Sequence, residues 1–166
     1  MTDSPVLEVP GNVAPGVAST PAAEPRALTP HVAIGRIVVL VNALSGSVGP
    51  RAVADVEQIL ADYPCEAEVI ALEGGRFDDQ IDAALASAPD VLFVLAGDGT
   101  ARAAASRAGP KGPLIAPLPG GTMNMLPKAL YGTADWKLAL RDALENGAPQ
   151  FVSGGKVEGE AFYCAA

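Results

Sequence analysis

The sequence predicts an α/β fold in three layers, with a mostly parallel sheet between two layers of helices. Short apolar runs rich in β-branched residues alternate four times with stretches of helical periodicity. Glycine-bearing turns separate several of these runs from the helices that follow them. A strand-helix alternation of this kind requires right-handed crossovers, which place helices on both faces of the sheet.

The composition bounds the class of protein. The chain has 166 residues, enough for one domain of ordinary size, and 49% of them are hydrophobic. The net charge of −8 and the lack of a Lys/Arg cluster argue against nucleic-acid binding and against tight docking on an anionic membrane. Two distant cysteines and a single histidine argue against a disulfide scaffold, a zinc site and a histidine triad.

The chain shows no apolar run of about 18 residues and no secretory signal pattern at its N-terminus. We therefore expect a cytoplasmic protein, and transient contact with the inner membrane face stays open.

The first half of the ordered chain contains two strand-helix pairs. RIVVLVN (36–42) fits a strand buried on both faces, and 65–72 is a second, shorter strand. Pro50 is suited to the first turn of a helix, so a helix is predicted over 51–63, where apolar residues recur at helical spacing. A second helix is predicted over 77–88 for the same reason.

The second half continues the alternation. The third strand, 89–97, is the most apolar, and an Ala-rich helix over 100–109 follows it. The fourth strand, 113–119, leads through a glycine-rich turn to two further helices, predicted over 125–132 and 134–147.

Three parts are predicted along the chain. Residues 1–33 are interpreted as a disordered tail, because Pro, Ala and Gly dominate and no period persists. Residues 34–149 form the α/β unit. Residues 150–166 are predicted to contain a strand, a turn at Glu158-Gly159 and a second strand, which begin an incomplete β-rich domain. The apolar end of that strand (162–164) has no predicted partner, so we expect homo-oligomerisation through an exposed strand edge.

The candidate functional residues lie where three strands end. Carboxyl ends of parallel strands meet at one edge of the sheet, where helix N-termini present unpaired N–H groups suited to phosphate. Three turns with glycine and short polar side chains lie there: loop 1 (42–46), loop 2 (97–100) and loop 3 (119–124). Their candidate residues are Asn42, Ser45, Gly46, Gly97, Asp98, Gly99, Thr100, Gly120, Gly121, Thr122 and Asn124.

Simpler interpretations exist for single loops. Asp98 or Thr100 could cap the following helix, and Asn124 could be an N-cap with Pro127 as the third helical residue. Other nucleotide motifs are missing, because the sequence contains neither GxGxxG after the first strand nor GxxxxGK[ST]. It is the occurrence of all three loops at successive strand ends that predicts a polyphosphate site.

These loops resemble the catalytic domain of the diacylglycerol kinase family. The family's motifs run approximately NPxSG, GGDGT and PxGTxND, and here they read NALSG (42–46), AGDGT (96–100) and PGGTMNM (119–125). The resemblance covers residues 35–166. It implies an α/β nucleotide domain of the kind shared with sphingosine kinases and NAD kinases, followed by a larger β-rich domain.

The resemblance implies an ATP-dependent lipid kinase that uses Mg²⁺ and accepts diacylglycerol or a similar lipid. Loop 2 would then meet the ATP phosphates, and loops 1 and 3 would line the nucleotide pocket. Asp98 would orient or deprotonate the acceptor hydroxyl, or hold Mg²⁺. The residues alone assign no metal ligand.

The sequence departs from the family pattern at several positions. Ala43 and Ala96 replace a proline and a glycine, which are mild changes. Arg102 and Ala103 stand where the family often has Asn-Glu, and Met125 stands where it has aspartate. Two carboxylates that could support the site are thereby lost.

Three other functions stay open. An NAD kinase-like enzyme has a similar GGDG loop, and the acceptor would distinguish it. A non-catalytic nucleotide- or lipid-sensing domain is favoured by the lost carboxylates. A flavodoxin-like signalling domain would share the fold class but would not bind ATP.

Overall fold

The computed structural model describes residues 24–152, 155–157 and 160–162. Four strands form a parallel sheet: β1 (Arg36–Val41), β2 (Glu66–Ala71), β3 (Val91–Ala96) and β4 (Leu114–Pro119). Their order across the sheet is β2-β1-β3-β4. The chain therefore moves outward from β1 to β2, crosses back over β1 and continues on the other side. The predicted strands are confirmed to within two residues at each end.

Five helices connect and cover the strands: α1 (Ala52–Leu60), α2 (Phe77–Ala86), α3 (Asp98–Ala108), α4 (Met125–Tyr131) and α5 (Trp136–Asn146). The predicted three-layer α/β class is confirmed, with α1 and α5 on one face of the sheet and α2 and α3 on the other. Two helix starts differ from the predicted positions by two residues: α3 begins two residues earlier, and α5 begins two residues later. Gly99 and Thr100 therefore belong to the first helical turn.

The central strand β1 is buried on both faces. Ile37, Val39 and Val41 pack in the cluster that contains α1 and α5, while Val38 and Leu40 pack in the cluster that contains α2 and α3. All five side chains are 0% exposed. Burying each contributes about 1.5–3 kcal/mol relative to exposure, which is why this strand is a continuous apolar run with no polar alternation.

Prolines occupy the outer edge of β4. The amide of Leu114 donates to the carbonyl of Asp90, 3.1 Å away, so Leu114 and every second residue after it face β3. Ile115, Pro117 and Pro119 therefore point their backbone groups away from the sheet. A proline at such a position removes no ladder hydrogen bond, which explains why PLIAPLP still forms a strand.

The N-terminal part of the described chain, residues 24–34, forms a strap that packs on the fold. The predicted structureless tail extends to residue 33, and the structure differs from it over residues 24–33. The Thr29 amide donates to the Leu144 carbonyl at 2.7 Å, and the Thr29 hydroxyl donates to the Gly147 carbonyl at 2.8 Å. Leu28 packs against the core beside α1 and α5. Residues 1–23 lie outside the described part of the chain.

The strap also makes an ionic contact with the helices below it. Arg26 pairs with Glu145 at 2.6 Å, and Tyr63 donates a hydrogen bond to the same carboxylate. The hydrogen bond from Tyr63 and the charge of Arg26 hold the pKa of Glu145 below its usual range. No sequence period predicts the strap, because its contacts are made to helix ends and follow no secondary-structure period.

A short antiparallel hairpin, β5 (Gly155–Val157) with β6 (Glu160–Phe162), follows the last helix. The two predicted strands are confirmed in these residues, whereas the turn at 158–159 and the predicted free edge at 163–164 lie outside the described residues. In the described part of the chain, no helix has both the length and the apolar character to cross a bilayer.

Replacing Thr29 by Val should destabilise the protein by about 1–2 kcal/mol, because the Gly147 carbonyl loses its donor while the side-chain shape is kept. Thr29→Ser keeps the hydroxyl and is the matched control. Urea denaturation of the three proteins measures the difference. A valine variant as stable as the serine variant would contradict the anchoring role of this hydroxyl.

Candidate phosphate-binding site

The three glycine-bearing loops meet at the carboxyl edge of the sheet. Loop 1 follows β1, loop 2 follows β3 and loop 3 follows β4, and these strands are neighbours in the sheet. The strand order reverses between β1 and β3, because the chain leaves β1 in one direction and returns on its other side. Open α/β sheets bind ligands in the crevice at this kind of switch point.

Loops 1 and 3 are joined by hydrogen bonds from Ser47. Its amide donates to the Gly120 carbonyl at 3.2 Å, and its hydroxyl donates to the Pro119 carbonyl at 3.1 Å. Next to this residue, a Cβ placed on Gly46 would lie 3.2 Å from Oγ1 of Thr122. Ser47 was not among the predicted site residues, since it lies just beyond the NALSG motif and no spacing marks it.

Loops 2 and 3 are in direct backbone contact. A Cβ on Gly121 would lie 2.8 Å from Cα of Gly97, and a Cβ on Gly120 would lie 2.7 Å from the backbone nitrogen of Ala96. Real Cβ atoms do not approach that closely, so both positions require glycine for packing. Gly120 and Gly121 were both candidate ligand-binding residues, and the structure gives each of them a packing reason to be glycine.

Gly97 and Gly99 are in a different situation. A Cβ on Gly97 would make only an ordinary contact, 3.8 Å from Oγ of Ser45, and a Cβ on Gly99 would have no neighbour within 4 Å among the described residues. Gly99 is exposed and lies within the first turn of α3, where glycine weakens a helix relative to alanine. The described structure therefore leaves open space at Gly99 that a close ligand could occupy, while Gly97 would accept a Cβ without a clash.

The N-terminus of α3 opens at the same place. Its N-cap is Gly97, and no side chain caps the helix. The interpretation of Asp98 or Thr100 as the N-cap is therefore wrong, because both residues lie inside the helix. Asp98 and Gly99 supply backbone N–H groups that have no acceptor within the helix, and the helix dipole favours negative charge there. The helix dipole also stabilises the negative charge of Asp98, which is half-buried in the first turn.

Two asparagines of the site bond to their own loops. The side-chain oxygen of Asn42 accepts from the Leu44 amide at 3.1 Å, which closes a turn in loop 1. Asn124 is only 4% exposed, and both of its side-chain polar atoms bond to Gly121. It occupies the N-cap position of α4 without capping it, and Pro127 is the third helical residue as predicted.

The structure thus divides the predicted site residues by accessibility. Gly46, Gly99 and Thr122 are exposed, whereas Gly120, Gly121 and Asn124 are buried. The remaining predicted residues are half-buried, namely Asn42, Ser45, Gly97, Asp98 and Thr100. The buried three shape the loops, and only the other eight are accessible to a ligand.

The loops are poor in charge. Asp98 is the one charged residue in loops 1–3, and neither lysine nor arginine occurs in them. Large apolar side chains lie beside them instead, with Leu44 91% exposed, Met123 63% and Met125 46%. Sequence analysis did not single out Leu44 or Met123.

A well-formed cavity lies away from this edge. It has a volume of about 330 Å³ and is lined mostly by apolar residues of the strap, the start of β4, α4 and α5. Burial there raises the pKa of Tyr131 to about 12. None of the candidate loop residues lines it, and its one charged lining residue is an acid, Asp142, which does not favour a phosphate. We therefore assign the chemistry to the open loop edge.

The sequence matches the family described as "Diacylglycerol kinase catalytic domain" over residues 36–155, which is 120 of its 166 residues. No curated protein matches the sequence.

Solved structures share the fold. A protein proposed to be a diacylglycerol kinase from Bacillus anthracis str. Sterne has a TM-score of 0.64 at 20% identity, covering 79% of this chain and 49% of that one. A diacylglycerol kinase from the same organism has a TM-score of 0.53 at 22% identity, covering 65% of this chain and 42% of that one. The chain therefore spans about half the length of the structures that it matches.

Gly121→Ala should destabilise the protein by about 1–3 kcal/mol, because the added methyl group meets the backbone of Gly97. Gly99→Ala should leave stability unchanged or raise it by up to about 1 kcal/mol, because the methyl group enters open space in a helix. Urea denaturation of both variants measures the contrast. Equal destabilisation by the two substitutions would contradict the packing described for loops 2 and 3.

Proposed function

The chain belongs to the diacylglycerol kinase catalytic domain family, a family of lipid kinases, and from this premise we propose that it binds ATP and Mg²⁺ at loops 1–3. The proposed reaction is transfer of the γ-phosphoryl group of ATP to a hydroxyl of diacylglycerol or a similar lipid. The observation that carries the proposal is the open space at Gly99, beside the uncapped N-terminus of α3.

The residues present fit a nucleotide phosphate. Anions bind at helix N-termini through backbone N–H groups, and the space at Gly99 allows a phosphate to approach this backbone closely. The hydroxyls of Ser45, Thr100 and Thr122 add donors around the crevice. Because loops 1–3 contain no lysine or arginine, the site needs another source of positive charge.

A bound Mg²⁺ would supply that charge, since it neutralises phosphate oxygens in phosphoryl transfer. Asp98 is the residue that would hold it. No group of three or more His, Cys, Asp and Glu side chains is placed to form a metal cage in the part of the chain that the structure describes. This donor set fits magnesium, because proteins bind it through one or two carboxylates together with substrate phosphates and water.

In the proposed reaction the acceptor oxygen forms a bond to the γ-phosphorus, the bond from that phosphorus to the β,γ-bridging oxygen breaks, and ADP leaves. The N–H groups at the start of α3 would stabilise charge on the phosphoryl oxygens. Asp98 would orient the acceptor hydroxyl or take its proton, and this role remains open beside that of a magnesium ligand.

We also propose that the chain is divided into two units. Residues 34–149, extended by the strap, form the nucleotide-binding unit, and the hairpin after residue 150 begins a β-rich unit. We also propose a cytoplasmic location with transient contact at the inner membrane face.

One observation favours binding without transfer as the second candidate function. Met125, where the family motif has aspartate, is 46% exposed beside loop 3, so Asp98 is the only carboxylate in the three loops. Phosphoryl transfer from radiolabelled ATP, with diacylglycerol, a sphingoid base and NAD as acceptors, distinguishes a lipid kinase from an NAD kinase-like enzyme. Saturable ATP binding without transfer to any acceptor would support a sensing domain. The absence of ATP binding would refute both the kinase and the nucleotide-sensing domain.

Gly99→Ala should weaken ATP binding at least about tenfold, and Gly99→Val should weaken it further, because each methyl group fills space proposed for phosphate. Titration calorimetry with Mg·ATP measures the affinities. Gly74→Ala is the matched control, because a Cβ at that exposed glycine also has no neighbour within 4 Å. ATP affinity equal in all four proteins would remove loop 2 from the proposed site.

Asp98→Asn should lower the rate of phosphoryl transfer by about 10²–10⁴, because a positioned base or a metal ligand is lost. The affinity ratio between Mg·ATP and metal-free ATP separates the two roles. A magnesium ligand predicts that the ratio falls in the variant, and a base predicts that it stays. A variant with the wild-type rate would show that Asp98 has neither role.

A further inference from the structure

The side chain of Asn124 makes two hydrogen bonds to one residue of its own loop, Gly121. Its oxygen accepts from the Gly121 amide at 2.7 Å, and its NH₂ group donates to the Gly121 carbonyl, also at 2.7 Å. The orientation of this amide follows from its partners, because a backbone N–H can only donate and a backbone carbonyl can only accept. Asn124 is 4% exposed, and both the oxygen and the nitrogen of its side-chain amide are hydrogen-bonded to Gly121.

Asparagine suits this position for two reasons. The backbone of Asn124 is left-handed, with φ 51° and ψ 43°, and asparagine tolerates this conformation better than most residues other than glycine. The partner atoms also demand one acceptor and one donor on the same short side chain. An ionised aspartate offers only acceptors, and alanine offers neither.

Gly121 is the point where all three loops touch. A Cβ placed on it would lie 2.8 Å from Cα of Gly97 and 3.7 Å from the backbone nitrogen of Asp98. A Cβ placed on Gly46 of loop 1 would lie 3.5 Å from its carbonyl carbon. Any movement of Gly121 would therefore move or loosen the backbone at Gly97 and Asp98, where α3 begins.

We propose that Asn124 is the positioning residue of the phosphate-binding crevice. It holds Gly121, and through Gly121 it sets the position of the Gly97-Asp98 backbone without touching the nucleotide. This inference rests on the proposed function, and it replaces the sequence-based expectation that Asn124 contacts the ligand directly.

The test is Asn124→Asp, studied as a function of pH. A protonated carboxyl group reproduces the amide, since its carbonyl oxygen accepts from the Gly121 N–H and its O–H donates to the Gly121 carbonyl. The ionised form turns an acceptor toward that carbonyl. Burial and this contact raise the pKa of the introduced carboxyl above its ordinary value of about 3.9. The loop therefore keeps its geometry below the raised pKa and loses it as the pH rises through that value.

We expect ATP to bind the variant at least about tenfold more weakly than the wild type at pH 8, and this ratio should fall toward one as the pH is lowered toward 5. Affinities are compared at each pH, so protonation of ATP itself cancels. Asp98 is the titratable residue whose backbone lies against Gly121, and it is common to both proteins. Asn146→Asp is the matched control, because this exposed asparagine bonds only to the Asp142 side chain among the described residues. The control should show a ratio near one throughout.

Two results would overturn the inference. The first is wild-type ATP affinity of the Asn124→Asp protein at pH 8. The second is a loss of affinity that does not depend on pH while the backbone amide signals of Gly97 and Asp98 in NMR spectra stay at their wild-type positions, because this would make Asn124 a direct ligand contact.

The same NMR signals separate this inference from the proposed function. In protein without nucleotide, the amide signals of Gly97 and Asp98 in the variant should shift with pH as the introduced carboxyl group titrates. The wild type should lack this additional shift. If the wild type fails to bind ATP, the proposed function falls, and the presence or absence of this titration still decides the positioning role. If the aspartate variant does not fold, Asn124→Gly keeps the left-handed backbone and removes the amide. Shifted Gly97 and Asp98 signals in that protein would support the inference, and unchanged signals would overturn it.

Discussion

The contact between the backbones of Gly97 and Gly121 is the constraint on which the arrangement of the site depends. A Cβ at Gly121 would lie 2.8 Å from the opposite Cα, so loops 2 and 3 come this close only because Gly121 carries no side chain. Parallel pairing of β3 with β4 brings the two loops to the same edge, and the glycines then determine how near they lie. The start of α3, and with it Asp98, takes its position from this contact.

The charge of the loops explains why their geometry matters. A phosphate site with a lysine tolerates some displacement, because a flexible point charge follows its partner. Loops 1–3 contain no lysine or arginine, and Asp98 opposes an anion until a metal ion is present. Attraction then comes from backbone N–H groups, whose hydrogen bonds weaken steeply with misalignment. Such a site depends on how rigidly the loops are positioned. Ser47 donates a hydrogen bond to the Pro119 carbonyl, and Asn124 accepts one from the Gly121 amide, so both residues fix the backbone of loop 3.

Most of the fold could be predicted because its elements follow regular periods. The four strands are apolar runs or proline-tolerant edges, the helices carry apolar residues at helical spacing, and strand-helix alternation limits the topology. The strap could not be predicted in this way, since Thr29 caps the end of α5 through single hydrogen bonds. The composition of the loops identified them as the site. It did not show which of their residues pack against backbone and which face open space. Composition does not distinguish Gly99, which faces open space, from Gly121, which faces backbone.

The prolines of β4 restrict how the sheet can be enlarged. Of the three residues that point outward on this strand, only Ile115 has an N–H group, so an incoming strand would meet a row of carbonyls with a single donor. Ser47 already occupies the last of these carbonyls. Among the four strands of this sheet, β2 is therefore the edge with more free backbone groups for a further strand, although Gln80 already donates to the carbonyl of its last residue, Ala71. Growth of the sheet is therefore favoured at the edge opposite β4 and loop 3.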